Sequence, residues 1–138
     1  MTPTLSGRWQ TRLFLLSTIG VVITLIFGYF FGNFVTPFAL LGYVLLLGFL
    51  WDILYNVVQT LRWDRDWPPI FFVGAGILEG LFLWDLTHLI ALPGVDPQLT
   101  FGKFASHYCT VFIFTLAIML GPLKIIFLKW RFRGGRVI

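Results

Sequence analysis

Two carboxylic acids lie within long apolar stretches of the chain, and they are the residues best placed to carry chemistry. Asp52 lies in the stretch that follows Pro37, and Glu79 lies in the stretch that follows Pro69. An ionisable side chain at membrane depth is costly and marks a functional position by default. At about 1.5 Å of helix per residue, both acids lie about 15 Å from the loop that joins their stretches. We therefore expect the two carboxyl groups to touch, in which case one of them would keep its proton.

Other polar side chains extend this pair of acids. Asn56 and Gln59 follow Asp52 at helical spacing, so they predict a polar stripe on one helix face, turned toward protein rather than lipid. Lys124 lies in the last apolar stretch, and its long stem could reach an acid or extend to the lipid headgroups. We expect a polar clamp between helices or subunits, with a proton or cation path as the alternative, formed by Asp52, Asn56, Glu79 and Lys124.

A second polar group is expected near the opposite membrane surface. Asp85 and His88 are three residues apart on one predicted helix, and His107 opens the next apolar stretch on the same side. Such side chains can bind zinc, and two histidines from facing helices can hold haem. The chain has no HxxxH, HExxH or CxxCH spacing. We therefore expect a hydrogen bond between Asp85 and His88 and no cofactor, with haem, a pigment or zinc at His88 and His107 as the alternative.

The framework that positions these residues follows from composition. Of the 138 residues, 58% are hydrophobic and 12% are charged, and the mean hydropathy is +0.88. A soluble domain of this length could not hide so much apolar surface. We predict an all-α integral membrane protein, a single membrane domain whose four transmembrane helices form an up-down bundle. The apolar runs place these helices near residues 13–31, 37–60, 70–92 and 104–128, with a basic C-terminal tail at 129–138.

Basic residues indicate the orientation of this bundle. Arg8 and Arg12 precede the first predicted helix, Arg62 and Arg65 lie between the second and third, and more basic residues close the chain. All three groups fall on one side of the membrane, so the positive-inside rule places both termini in the cytoplasm. We expect a bacterial plasma membrane or an internal membrane. Topology accounts for the net charge of +4, so we expect anionic lipid at the basic tail and no nucleic acid as a partner.

Small residues in the third predicted helix indicate close packing. Gly76 and Gly80 form a GxxxG pattern, which allows two helices to approach closely. The pattern lacks the strand, turn and helix context of a nucleotide site. We therefore assign Gly76 and Gly80 to helix packing.

The chain carries no motif typical of an enzyme. We predict a small multi-pass membrane subunit or scaffold that assembles through the polar and GxxxG faces of its second and third helices, into a homo-oligomer or a larger complex. One alternative is a proton- or ion-coupled channel or transporter that uses Asp52 and Glu79. The other is a redox or pigment-binding subunit that uses His88 and His107.

Overall fold

Long apolar helices make up most of the fold. The computed structural model describes residues 3–132 and 134–136, without the side chains of Lys129 and Arg131. This part of the chain is all-helical, in the order α1 Leu5–Phe31, α2 Val35–Leu61, α3 Pro69–Leu89, α4 Phe101–Leu120, α5 Pro122–Ile126 and α6 Leu128–Phe132. Four helical stretches are long and apolar enough to cross a membrane, and the last of them runs through α4 and α5. These stretches indicate a multi-pass membrane protein, as the sequence predicts.

The start of α1 differs from the sequence prediction. The helix begins at Leu5, well before residue 13, because Thr4 caps it. The Thr4 hydroxyl oxygen accepts a hydrogen bond from the Gly7 backbone N–H at 3.2 Å, which satisfies one of the free donors at the helix start. As a consequence Arg8 and Arg12 lie within the first apolar helix and not before it.

The predicted third and fourth helices also end earlier than expected. α3 ends at Leu89, and α4 begins at Phe101. α4 stops at Leu120 instead of near residue 128, because Gly121 leaves helical geometry and Pro122 begins the short helix α5. Proline lacks the backbone N–H that would continue the hydrogen-bond pattern, so it separates α4 from α5.

A single π-helical turn interrupts α1 at Leu16–Gly20. Within this turn, the Thr18 hydroxyl donates to the Phe14 carbonyl at 2.6 Å, which competes with the regular backbone pattern. In an uninterrupted α-helix, Arg12 and Thr24 would lie about 120° apart around the axis. A π turn contains one extra residue, which reduces the angle between Arg12 and Thr24 by about 100°. Arg12 and Thr24 therefore both face the inside of the bundle, where each has a partner on another helix.

The four long helices pack as a ring in which each contacts the next and α4 returns to α1. α1 and α2 are antiparallel, because Gly28 meets Phe34 at one end and Arg12 meets Gly48 toward the other. Apolar side chains fill the centre, and one cluster joins α1, α2 and α4 through Leu16, Ile23, Leu41 and Val111. Lipid is the natural cover for the outside, where large apolar side chains stay exposed.

The C-terminal segment folds back on the start of α1. The Thr4 backbone N–H donates to Gly134 O at 2.7 Å, and the Thr11 hydroxyl donates to Gly135 O at 2.8 Å. Trp130 is only 2% exposed, and its indole N–H donates to the Thr11 hydroxyl oxygen at 2.8 Å. The two ends of the described chain therefore meet at one end of the bundle.

The docked segment includes part of the predicted basic tail. Residues 134–136 lie against α1, and the Arg136 side chain donates to the Ser6 hydroxyl oxygen at 2.9 Å. Arg133 lies outside the described residues, as do the side chains of Lys129 and Arg131. Binding of anionic lipid at the tail stays a prediction.

Candidate functional site

Arg12 joins the two acids of the apolar helices, Asp52 and Glu79. Its Nε and Nη2 donate to the Asp52 carboxylate at 2.9 and 3.0 Å. Its Nη1 and Nη2 donate to the Glu79 carboxylate at 2.9 and 3.1 Å. Each acid is thus held by two parallel hydrogen bonds, the geometry in which arginine binds carboxylates most strongly. Because the three residues come from α1, α2 and α3, one guanidinium ties three helices together. We call Arg12, Asp52 and Glu79 the arginine clamp.

The arginine clamp is largely closed to its surroundings. The side chain of Arg12 is 18% exposed, that of Asp52 is 5% exposed and that of Glu79 is 10% exposed. Charges removed from water cost roughly several kcal/mol each unless they are paired in good geometry. The clamp meets this need with a single cation shared by two acids. Both carboxylates bind Arg12, which lies between them, whereas the sequence predicts direct contact between the two carboxyl groups with one of them protonated.

Arg8 forms a second cationic centre one turn before Arg12. Its Nη2 donates to Gln59 Oε1 at 2.7 Å, and the Gln59 amide donates to the Arg65 carbonyl at 2.9 Å. The guanidinium carbon of Arg8 lies 4.5 Å from the centre of the Trp67 ring, within reach of a cation–π interaction. These contacts fasten the start of α1 to the loop between α2 and α3. They also bury Trp67, which is 4% exposed.

The charges in this region balance. Arg8 and Arg12 supply two positive charges, and Asp52 and Glu79 supply two negative charges. Arg12 is saturated by both acids, whereas the Arg8 hydrogen bond goes to a neutral amide. The Arg8 Nε is buried and has no hydrogen-bond partner among residues 3–132 and 134–136. Arg8 is thus the less satisfied of the two arginines.

A cavity of about 140 Å³ lies beside the arginine clamp. Its walls come from all four long helices and extend from the clamp to Trp130 and Gly135 of the docked C-terminal segment. Arg8 and Thr11 also line it, and most of the remaining wall is aliphatic or aromatic. Of the polar stripe predicted on α2, Asp52 lines this cavity.

The other members of the predicted clamp are placed differently. Asn56 is half-buried on α2 and takes no part in the Arg12 ion pairs, while Gln59 is buried against Arg8. Lys124 lies on α5, where it is half-buried, and the cation that Asp52 and Glu79 bind is Arg12 instead.

The second predicted polar group, formed by Asp85, His88 and His107, is divided between two separate environments. His107 is 2% exposed, and its Nε2 lies 3.0 Å from the Thr24 hydroxyl of α1. His88 is exposed on α3, where its ring lies 4.1 Å from that of Trp84 and its Nδ1 lies 3.1 Å from the Trp84 carbonyl oxygen. His88 thus contacts its own helix at Trp84, and these contacts replace the expected hydrogen bond to Asp85. Within the described part of the chain, no group of three His, Cys, Asp or Glu side chains could hold a metal ion.

Gly76 and Gly80 are used for packing within the chain. A Cβ on Gly76 would overlap the Phe112 ring, and a Cβ on Gly80 would lie 2.6 Å from Tyr108 Cε1. The Tyr108 hydroxyl donates to Gly76 O at 2.7 Å. The GxxxG face of α3 therefore receives aromatic rings of α4.

The loop between α2 and α3 carries an exposed ion pair. The Arg62 Nε and Nη2 donate to the two Asp64 carboxylate oxygens at 3.0 and 2.8 Å. The Asp66 backbone N–H also donates to Asp64 Oδ1 at 3.2 Å. Mainly through the Arg62 hydrogen bonds, the pKa of Asp64 falls from its ordinary value to about 2.

Arg8 and Arg12 are the site residues that sequence reasoning missed. The prediction started the first helix at residue 13, which left both arginines outside the membrane segment. A cation at similar depth is one way to hold two acids inside apolar helices, and this need is the signal that the sequence offers. The Thr4 cap, which begins the helix at Leu5, was the second signal.

No family model, curated protein or solved structure matches this chain. We therefore infer the function from the arginine clamp, the cavity and the exposed surfaces of the helices.

Proposed function

We propose that this chain is a non-catalytic, multi-pass membrane subunit or scaffold that works in a homo-oligomer or in a larger membrane complex. In this proposal its spans form an up-down bundle with both termini in the cytoplasm, in a bacterial plasma membrane or an internal membrane. The observation that carries the proposal is that Arg12 binds both Asp52 and Glu79. Acids held in this way support a structural role, because both are already engaged within the chain.

The surfaces available for assembly differ from those suggested by the sequence. Rings of α4 fill the GxxxG face of α3, and Arg12 covers Asp52 on α2. The polar side chains Asp85 and His88 are instead exposed on α3. Polar residues within a membrane span usually face protein. We therefore place the contact with a second subunit on this face of α3.

A proton- or ion-coupled channel is the second candidate. The cavity favours it, because the cavity is lined by both Asp52 and Glu79. An ion on this path would have to compete with Arg12 for the carboxylates. We rank this function below the scaffold, since four hydrogen bonds from Arg12 already hold the two acids.

The assembly proposal is tested by the native mass of the protein after extraction in mild detergent. We expect a mass well above the 15.8 kDa of one chain. Asp85→Leu combined with His88→Leu should reduce it, whereas Asp64→Asn in the exposed loop should leave it unchanged. A wild-type protein that runs as a single chain would overturn the proposal.

A flux assay separates the two candidate functions. Purified protein is placed in liposomes, and internal pH is followed after an external pH step. The scaffold predicts no flux above that of empty liposomes. Flux in the wild type that disappears in Asp52→Asn and Glu79→Gln, with assembly intact, would favour the channel.

A further inference from the structure

The docked C-terminal segment forms one end of the cavity beside the arginine clamp. The cavity has a volume of about 140 Å³, and its wall includes Gly7, Trp130 and Gly135, where the two chain ends meet. Trp130 is 2% exposed and Gly135 is buried. The segment therefore covers the cavity at this end of the bundle. We call Leu128–Phe132 together with residues 134–136 the lid.

The lid is attached to the start of the chain by hydrogen bonds. The Thr11 hydroxyl accepts from the Trp130 indole N–H and donates to Gly135 O, both at 2.8 Å. The Thr4 backbone N–H donates to Gly134 O at 2.7 Å. Thr11 also lines the cavity, so the residue that fastens the lid is part of the space that the lid covers.

The lid buries little apolar surface of its own. Leu128 and Phe132 are 70% and 83% exposed, whereas Trp130 between them is buried. Segments with few buried apolar contacts open locally at a lower free energy than the core of a protein. We therefore expect the lid to undock while the four long helices stay packed.

We propose that the lid is a displaceable cover, and that its undocking connects the arginine clamp with water through the cavity. The wall gives water a reason to enter, because Arg8 and Thr11 line the cavity together with all three residues of the clamp and a roomy polar cavity holds water. The lid goes beyond the scaffold function and does not depend on it, since its contacts lie within a single chain.

Gly7 is where the lid approaches α1 most closely. A Cβ at Gly7 would overlap the Gly134 backbone oxygen and would lie 2.8 Å from the Gly135 carbonyl carbon. These are backbone atoms and cannot turn away as a flexible side chain can, so Gly7→Ala should displace the lid. Alanine is a better helix former than glycine, so α1 itself should keep its structure.

The matched control is Gly74→Ala in the first turns of α3. No described heavy atom outside the adjacent residues and the nearby backbone of its own helix lies within 4 Å of a Cβ at Gly74. The same exchange of glycine for alanine is therefore made in a helix without a collision.

Thiol labelling measures access to the cavity. In a chain that carries Cys109→Ser, Leu15→Cys places a thiol on a cavity-lining residue that is 4% exposed. The protein in liposomes is treated with a charged, water-soluble methanethiosulfonate, which does not enter through lipid because charge is costly there. Intact mass follows the reaction. We expect Gly7→Ala to raise the labelling rate about tenfold, because each hydrogen bond lost from the lid raises the open population severalfold. Gly74→Ala should leave the rate unchanged.

Two further variants separate lid opening from a general loosening of the bundle. Ile23→Cys places a thiol in the same helix beyond the π turn, at a core position that is 7% exposed, and it should stay slow to react in Gly7→Ala. Thr11→Val removes both Thr11 hydrogen bonds to the lid and should also speed labelling of Leu15→Cys. An unchanged rate at Leu15→Cys in both variants, an equal gain at Ile23→Cys, or fast labelling of Leu15→Cys with the lid intact would overturn the proposal.

Discussion

Gly48 of α2 lies directly against the side chain of Arg12. A Cβ at this glycine would lie 2.7 Å from Arg12 Cδ and would overlap the guanidinium nitrogen Nη1. The absence of a side chain at residue 48 thus makes room for Arg12 one turn before Asp52. The arginine clamp depends on this space as well as on its charges.

Gly48→Ala should therefore disrupt the arginine clamp. We expect a loss of about 1–3 kcal/mol in the free energy of unfolding, because an inserted methyl group forces Arg12 to move. The matched control is Gly42→Ala in the same helix, where no described heavy atom outside the adjacent residues and the nearby backbone of its own helix lies within 4 Å of the new Cβ. Alanine there should be neutral or stabilising by up to about 1 kcal/mol. Denaturation in mixed micelles measures both changes, and equal effects would contradict this role of Gly48.

Thr11 holds the C-terminal segment on α1. Its hydroxyl accepts from the Trp130 indole N–H and donates to Gly135 O, both at 2.8 Å. Thr11→Val leaves both buried groups unpaired, at a cost of about 1–3 kcal/mol each. We expect faster hydrogen exchange at residues 128–132 and 134–136. Thr60→Val is the control, because the Thr60 hydroxyl is exposed and bonds only within its own helix at Val57 O. Unchanged exchange in Thr11→Val would show that other contacts hold the segment.

Much of the fold follows from the apolar pattern, and the parts that do not have identifiable causes. The four apolar runs predict four long helices, because hydrophobic stretches long enough to span a membrane are difficult to remove from water in any other way. Helix ends depend on single caps and breaks, such as Thr4 and Gly121, which composition does not reveal. The burial of Trp67 and Trp130 could not be predicted either, since interfacial and buried tryptophans look alike in sequence.

The site was predictable only in part for the same reason. The depth of Asp52 and Glu79 follows from counting residues along straight helices, so their approach could be expected. The choice of Arg12 over Lys124 depends on where α1 begins and on the π turn at Leu16–Gly20. The separate surroundings of His88 and His107 depend on how far each helix is rotated about its own axis. A GxxxG pattern and a charge count do not specify this rotation.

Arg62 and Asp64 give a prediction for the pH dependence of the loop. The pKa of Asp64 in the folded chain is about 2, below its value of about 3.9 in an unfolded chain. The pair therefore stabilises the folded loop fully above the unfolded pKa, and this contribution is lost as pH falls toward the folded pKa. Arg62→Gln should raise the Asp64 pKa toward its ordinary value, because the Arg62 hydrogen bonds are the largest cause of the lowered pKa. Carboxyl NMR titration measures it, and an unchanged Asp64 pKa would contradict the pairing.

The central claim is that Arg12 and the two acids form one structural unit. Its most direct test is the free energy of unfolding of Arg12→Gln compared with the triple variant Arg12→Gln, Asp52→Asn, Glu79→Gln. Arg12→Gln alone should cost about 3–5 kcal/mol, because it leaves two buried acids without their cation. The triple variant, in which no charge is left unpaired at the clamp, should be clearly more stable than Arg12→Gln, and Lys124→Gln should have little effect. A triple variant less stable than Arg12→Gln, with costs that simply add, would contradict the clamp.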